Sequence, residues 1–267
     1  MMCLRAAALI AAGVLIGCGG GGGFPDAPAE PDATPGGTLS LDWSLVKMAD
    51  GTAISCDQVG GVTVTLLLRN RAVQGGFTEV FSCNTKMGTT PLVPIGTYDV
   101  NFELTGVTGL ITTAAEQRGL VVTQNQNTAL APVTFTVNAV GALDLRVDAL
   151  KAGGNCAAIA SNGAGITGMR ITLNHASGGA CEPATILIGS TPYTINCTTP
   201  LTTTCIEKTT AITATNLPSD NYQIHVRADQ TAATNCFVND DSLRVPPNAM
   251  SLMRTLNLAA SGGAGCL

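Results

Sequence analysis

The chain has 267 residues, of which 45% are hydrophobic and only 12% are charged, and it carries a formal charge of -5 at pH 7. So much apolar material excludes a disordered chain, and the length suffices for two ordinary domains with separate cores. Thirteen Lys and Arg against eighteen Asp and Glu leave no basic field, which excludes a nucleic-acid partner.

The N-terminus has the pattern of an export signal. Arg5 precedes an apolar run from Ala6 to Ile16, which is too short to cross a bilayer as a permanent helix. The run closes with Leu15-Ile16-Gly17-Cys18, and this ending resembles the signal of bacterial lipoproteins. The resemblance implies that residues 1–17 are removed and that Cys18 is lipidated, which would attach the protein to a membrane. An ordinary signal peptide with a chance cysteine is the alternative.

The residues after Cys18 bear on location and on the distance from the membrane. In the lipoprotein family an Asp directly after the lipidated Cys favours inner-membrane retention, and Gly19 stands there instead. This implies the outer membrane and leaves open whether the protein faces the periplasm or the cell surface. The five glycines of Gly19–Gly23 and the prolines up to Pro35 cannot build a core. Residues 18–37 are therefore predicted to form a Gly/Pro-rich tether.

From Thr38 onward the apolar residues recur with a period of two, which is typical of half-buried strands. The clearest segments are 39–45, 62–66, 98–104 and 133–137. Trp43 shares its parity with the leucines of the first segment, so we expect it in the core. Thr113–Arg118 is the best helical candidate, and it is short. The sequence thus predicts an all-β fold whose sheets pack on one another.

The second half of the chain repeats the first. Four pairs of segments correspond: Gly37–Trp43 with Gly141–Val147, Cys56 with Cys156, Val62–Leu66 with Met169–Leu173, and Val93–Val100 with Leu217–Ile224. The second copy is longer, mostly between His175 and Thr204. The repeat predicts two tandem, Ig-like antiparallel β-sandwiches, unit 1 at residues 38–138 and unit 2 at residues 139–267, with an inserted hairpin in unit 2.

A short motif in unit 1 points to a family. Val93-Pro94-Ile95-Gly96-Thr97-Tyr98 resembles the apolar-Pro-x-Gly-x-Tyr signature of carboxypeptidase-regulatory-like and Cna-B-like sandwiches, which have the prealbumin-like fold. The resemblance implies a stalk or binding module without an active site. Unit 2 departs from the motif, since Asp220 stands where Gly is expected. The Lys that would start an isopeptide bond is missing from the predicted first strand of either unit, residues 39–45 and 141–147, and disulfides take its place.

Eight cysteines remain once Cys3 is removed with the signal and Cys18 is lipidated, and an even number in an exported chain predicts four disulfides. Unit 1 contains only two of them, which must pair if no bridge crosses between units. In unit 2 the repeat pairs Cys156 with Cys205, after which Cys181 and Cys197 close the insertion and Cys236 joins the C-terminal Cys266. The predicted pairs are Cys56–Cys83, Cys156–Cys205, Cys181–Cys197 and Cys236–Cys266.

Signals for catalysis and for metal or cofactor binding are weak. The cysteines form no Cys-x-x-Cys pair and the two histidines stand apart, so we expect no metal site and no cofactor. We expect His175 and His225 to face solvent, because neither has a predicted orienting partner. Asn239–Asp241 is interpreted as a solvated turn, with calcium binding left open. The protein is therefore not expected to be an enzyme. Catalysis by paired carboxylates from separate strands stays an open alternative, because spacing in the sequence carries no information about such pairs.

The insertion is the best candidate for a contact surface. Ile186–Ile195 alternates around a Gly-Ser-Thr-Pro turn and predicts a hairpin closed at its base by Cys181 and Cys197. It could present Thr191, Pro192 and Tyr193 to a partner, or its isoleucines could pack on unit 2 as an extra ribbon.

Three functions are compatible with these features. The leading hypothesis is a non-enzymatic, membrane-anchored structural or binding lipoprotein, whose protein or glycan partner the sequence does not name. The alternatives are an exported glycan-binding or adhesin module and, less favoured, a hydrolase with dispersed acidic residues.

Overall fold

The computed structural model describes residues 35–230 and 235–262, which lie in one compact unit, Pro35–Leu267. Almost all regular structure is strand, and the prediction of an all-β fold is confirmed. None of the helices in these residues is long and apolar enough to cross a membrane.

The first half of the described chain forms two sheets around one core. Its elements in chain order are β1 (Gly36–Lys47), α1 (Cys56–Val59), β2 (Gly61–Asn70), β3 (Gly76–Ser82), β4 (Met87–Thr89), β5 (Val93–Pro94), β6 (Gly96–Gly106), β7 (Gly109–Val122), β8 (Asn127–Ala129) and β9 (Val133–Val137). In one sheet β1 pairs with β4, β5, β8 and β9, and the other sheet has the order β3-β2-β6-β7.

The second half repeats this arrangement with an added hairpin. Its elements are β10 (Val140–Asp148), β11 (Ile166–His175), β12 (Ala184–Ile188), β13 (Thr191–Ile195), β14 (Leu201–Thr204), β15 (Ile212–Pro218), β16 (Asp220–Gln230), β17 (Asn235–Val245), β18 (Ser251–Asn257) and β19 (Ala259–Gly262). The two sheets have the orders β13-β12-β15-β10-β18 and β14-β11-β16-β17-β19.

Each half buries its own set of apolar side chains. One core is built from residues between Leu39 and Val137, and the other from residues between Leu143 and Leu258. Strand alternation sends every second side chain inward, and Trp43 is one of them, with 4% of its surface exposed. Its indole N–H donates to the carbonyl oxygen of Cys83 at 2.9 Å, so its polar atom is satisfied in the core.

The strand pairings are antiparallel except at one repeated place. The first strand of each half lies parallel to a late strand: β1 pairs with β8 and β9, and β10 pairs with β18. In the second sheet of each half, the central pair, β2–β6 or β11–β16, is antiparallel and has one register shift near its start. The same two features in both halves show that the repeat extends to topology.

The register corrects one detail of the repeat. Leu66 lies opposite Phe102, four residues after Tyr98, and Ile171 lies opposite Val226, four residues after Tyr222. Ile171 therefore corresponds to Leu66, whereas the sequence alignment matched it to Val64. A slip of two residues keeps the same face of a strand inward, which is why the hydrophobic pattern did not reveal the error.

Two other predictions fail locally. Thr113–Arg118 is not helical but lies in β7, because β6 offers a paired edge along almost its whole length and Thr113 suits a strand. Asn239–Asp241 is not a turn but the middle of β17, where it pairs with β16. At the N-terminal side, β1 begins at Gly36, two residues inside the predicted tether, because Gly36 and Gly37 pair with β5.

Polar contacts join the two halves. Carbonyl groups of the short helix α1 lie within hydrogen-bond distance of side chains from the second half. Ser219 Oγ lies 3.0 Å from the carbonyl oxygen of Gln58, and the Arg244 guanidinium donates to the carbonyl oxygen of Asp57. Asn248 Nδ2 also donates to the carbonyl oxygen of Ile111 at 2.8 Å. The division of domains between residues 138 and 139 stays a prediction.

Candidate functional site

Disulfides connect the loops of both sandwiches. The structure joins Cys56 to Cys83, Cys156 to Cys205 and Cys181 to Cys197, which are pairs that the sequence analysis expects. Cys236 is disulfide-bonded as well. Its expected partner Cys266 and the lipidation site Cys18 lie outside the described residues, so both assignments stay predictions.

The inserted hairpin packs on the second sandwich. Strand β12 pairs with both β13 and β15, which makes the hairpin an extension of a sheet. Ile186 and Ile195 are buried in the core, and Tyr193 is partly buried against it. Of the three proposed contact residues, Thr191 and Pro192 are exposed. The hairpin is thus a ribbon packed on the second sandwich. The exposed Thr191 and Pro192 at the start of β13 stay a predicted contact surface.

A histidine with two carboxylate partners lies where this insertion leaves the sandwich. His175 is the last residue of β11, Glu182 follows the turn after it, and Asp220 begins β16. His175 Nδ1 is 2.9 Å from Asp220 Oδ2, and His175 Nε2 is 2.7 Å from Glu182 Oε2. The prediction that His175 faces solvent is wrong, since only 22% of its side chain is exposed. We call these three residues the histidine cluster.

The surroundings of the histidine cluster favour the charged imidazolium. Burial lowers the pKa of His175, but hydrogen bonds to Glu182 and Asp220 outweigh it, so the pKa lies above its ordinary value of 6.5. The imidazole ring packs on the ring of Tyr222, with centroids 4.7 Å apart. Burial, and then the two carboxylates, raise the pKa of the Tyr222 phenol. Burial lowers the pKa of Arg244, which the charge of Asp220 opposes.

A tyrosine anchors the equivalent strand in each sandwich. The hydroxyl of Tyr98 donates to the carbonyl oxygen of Pro94 at 2.9 Å, and the hydroxyl of Tyr222 donates to that of Pro218 at the same distance. Both side chains are fully buried. The Pro and Tyr of the sequence motif therefore have a structural role in each copy, because the hydrogen bond fixes the entry of the chain into β6 or β16.

The second sandwich carries further charged pairs. His225 Nδ1 lies 2.6 Å from Asp240 Oδ1, and 47% of the His225 side chain is exposed, as expected for an outward strand residue. Asp241 pairs with Arg254 at 3.0 Å. Because neighbouring residues of a strand point to opposite faces, Asp240 and Asp241 do not converge on one point. Within residues 35–230 and 235–262, no group of three His, Cys, Asp or Glu could hold a metal ion.

Sequence reasoning did not find the histidine cluster, although it noticed two of its members, His175 and Asp220, separately. The only signal was Asp220 in place of the expected Gly. Glu182 is seven residues from His175 and is brought back to it by the turn after β11, whereas Asp220 is 45 residues away and is brought to it by the pairing of β11 with β16.

The chemistry available to the cluster is limited by its geometry. Both nitrogens of His175 are engaged by carboxylate oxygens, so neither is available to accept a proton from a substrate. When protonated, the side chain is a cation positioned between two carboxylates.

Comparisons with known proteins add little to the assignment. No family profile and no curated sequence matches the chain. Among solved structures, a leucine-rich repeat protein from Bacteroides thetaiotaomicron matches 85% of this chain with 10% identity and a TM-score of 0.26. This chain spans only 26% of the length of that protein.

Two further matches are of similar quality. The major pilin T-13 from Streptococcus pyogenes has 11% identity and a TM-score of 0.29, over 86% of this chain and 98% of the pilin. A fimbrial anchor protein from Porphyromonas gingivalis has 7% identity and a TM-score of 0.25, over 71% of this chain and 77% of the anchor protein. At such scores two chains need not share a fold, so the fold assignment depends on the sheets themselves.

Proposed function

We propose that the protein is an exported, lipid-anchored lipoprotein that acts as a structural or binding module and not as an enzyme. The observation that carries this proposal is the set of disulfides in both sandwiches, since such bonds persist in oxidising compartments outside the cytosol. Together with the lipoprotein-type ending at Cys18, they support export followed by anchoring. The Gly/Pro-rich tether would then hold two stapled sandwiches away from the membrane, and Gly19 favours the outer membrane.

The use of aromatic side chains favours a protein partner over a glycan. Sugar-binding surfaces usually present exposed aromatic rings. Here the rings of Trp43, Tyr98, Phe102, Phe135 and Tyr222 are buried in the two cores. Phe77, with 40% of its surface exposed, lies beside the Tyr98 ring at a centroid distance of 6.3 Å. The aromatic residues of the described chain therefore serve mainly to pack the sandwiches.

Detergent partition tests the anchoring. Cells producing the wild-type protein are extracted with Triton X-114, and we expect the mature protein in the detergent phase. Cys18→Ser should leave an unprocessed precursor, because the lipid acceptor and the cleavage site are both lost. Cys3→Ser is the matched control, since it removes a cysteine inside the predicted signal and should leave partition unchanged. Recovery of a cleaved, unlipidated wild-type protein would contradict the proposal.

A glycan array tests the choice of partner. The oxidised protein is labelled on surface lysines and applied to the array alongside a protein pull-down from cell-envelope extracts. We expect no saturable glycan binding. Specific binding to one class of glycan would replace the protein-partner proposal with the glycan-binding alternative, and would leave the anchoring proposal intact.

A further inference from the structure

The hydrogen-bond geometry of the histidine cluster requires a particular protonation state. A carboxylate oxygen only accepts hydrogen bonds, and a neutral imidazole has one N–H and one unprotonated nitrogen. In this structure both ring nitrogens of His175 lie within 2.9 Å of carboxylate oxygens. Only the imidazolium donates to both. When the proton leaves, one nitrogen lone pair faces a carboxylate at hydrogen-bond distance, and that contact becomes repulsive.

The cluster closes a turn at the base of the inserted hairpin. The chain leaves β11 at His175, turns through exposed residues 176–180, and returns at Cys181 and Glu182. Gly178 and Gly179 both have positive φ, as this tight reversal needs. Two backbone hydrogen bonds also hold the turn in place. The Ala176 N–H donates to the carbonyl oxygen of Asn221 at 2.8 Å, and the Glu182 N–H donates to the carbonyl oxygen of Leu173 at 2.9 Å. The side-chain contacts from His175 therefore hold both ends of the turn against β16.

We propose that the histidine cluster is a proton-operated clamp, closed when His175 is an imidazolium and released when His175 is neutral, which sets how firmly the turn 176–182 and the hairpin base are held against the second sandwich. The Cys181–Cys197 disulfide limits the motion, because it keeps the two ends of the hairpin together in both states. This clamp is independent of the anchoring and of the partner proposed above.

The charged and titratable groups around His175 come from three elements. Glu182 approaches from the turn, Asp220 and Tyr222 come from β16, and Arg244 of β17 interacts electrostatically with Asp220. With His175 protonated, one cation lies between two carboxylates whose side chains are only 16% and 13% exposed. Without the proton, two mostly buried negative charges remain, and Arg244 interacts with only one of them, Asp220. The turn carrying Glu182 is therefore the part expected to move.

The direction of the pH effect follows from the raised pKa of His175. A group whose pKa is higher in the closed state than in the open state stabilises the closed state fully below the open-state pKa, about 6.5 for a free histidine. That contribution is lost as the pH rises through the closed-state pKa. The opening equilibrium should increase about tenfold for each unit by which closure raises the pKa.

Two measurements on the purified, oxidised protein test the clamp. First, the imidazole Cε1–H resonances are titrated by NMR, which is simple because the chain has only two histidines. We expect His175 to titrate above 6.5. Second, hydrogen-exchange protection factors of the Ala176 and Glu182 amides are followed from pH 5.5 to pH 9. We expect both to fall through the titration of His175, while those of core strand β16 stay constant.

Variants separate a proton-operated clamp from a purely structural contact. Glu182→Gln replaces an acceptor-only group with an amide that can donate or accept, so the turn should stay closed across the pH range. His225→Gln is the matched control, since it removes the other histidine from an exposed pair and should leave the protection factors unchanged. A His175 titration at or below 6.5, or protection factors for Ala176 and Glu182 that do not change with pH, would overturn the proposal. The wild-type titration decides this even if a variant fails to fold.

Discussion

The two sandwiches differ most informatively beside their buried tyrosines. In the first, Tyr98 lies opposite Asn70, and Gly96 stands two residues before it; in the second, Tyr222 lies opposite His175, and Asp220 stands two residues before it. A Cβ added at Gly96 would come within 2.9 Å of Asn70 Nδ2, so the first sandwich has little room for a larger residue there. The second sandwich differs at both positions, with His175 in place of the Asn and Asp220 in place of the Gly.

This difference shows how an insertion can add charged residues to a framework that both sandwiches share. The tyrosine, its hydroxyl bond and the strand pairing are the same in both copies. Only the second copy has the inserted hairpin, and Glu182 at its base is the additional partner of His175. The neutral pair Asn70 and Gly96 and the histidine cluster therefore occupy equivalent positions in the two sandwiches. The histidine cluster also contacts the base of the insertion through Glu182.

Removing the equivalent disulfides should produce the largest effects and should test whether the two cores unfold separately. On the chain-entropy account, Cys56→Ala with Cys83→Ala should cost about 3.5 kcal/mol, and Cys156→Ala with Cys205→Ala about 4 kcal/mol, because the second loop is longer. Urea unfolding is followed by the fluorescence of Trp43, which lies in the first core, and by far-UV circular dichroism.

The first double variant should shift the Trp43 transition, and the second should shift mainly the transition seen by circular dichroism. The wild-type protein unfolded in reductant is the control. A Trp43 transition that moves equally with both double variants would argue against independent cores and against the predicted division at residue 138.

Giving the second sandwich the Asn and Gly of the first, at positions 175 and 220, should have an intermediate effect on the free energy of unfolding. At pH 6, His175→Asn alone should cost about 2 kcal/mol, because two mostly buried carboxylates lose their cation. His175→Asn combined with Asp220→Gly should cost at least about 1 kcal/mol less than the sum of the single variants, since one of those carboxylates is gone. Urea unfolding of the four proteins forms the double-mutant cycle.

The reciprocal change in the first sandwich provides the matched control. Gly96→Asp should destabilise, and adding Asn70→His should recover part of the loss by creating a pair like that of His175 and Asp220. If the changes in unfolding free energy were additive in both double-mutant cycles, the two positions would not be energetically coupled.

The tyrosine hydroxyls should give the smallest effect, and an equal one. Tyr98→Phe and Tyr222→Phe each remove one hydrogen bond to a proline carbonyl, which should cost about 1 kcal/mol in either sandwich. Thermal unfolding monitored by circular dichroism measures both. A cost confined to one variant would show that the motif anchors only one of the copies, despite their equal geometry.

Patterns within a single strand were enough to predict much of this protein. The period of two marks strands such as 39–45 without reference to any partner, because alternate side chains of a strand always face opposite sides. The cysteine spacing, read through the repeat, leads to the pairs that the structure contains within residues 35–230.

Tertiary structure decided what depends on register between distant strands. Thr113–Arg118 became a strand because β6 lay beside it, and Asn239–Asp241 was spread over two faces because β17 ran on through it. The histidine cluster joins three elements that no local period relates, and it forms only when β11 and β16 pair so that His175 lies opposite Tyr222. Contacts of this kind depend on which strands meet and in what alignment, and side-chain alternation along one strand carries no information about either.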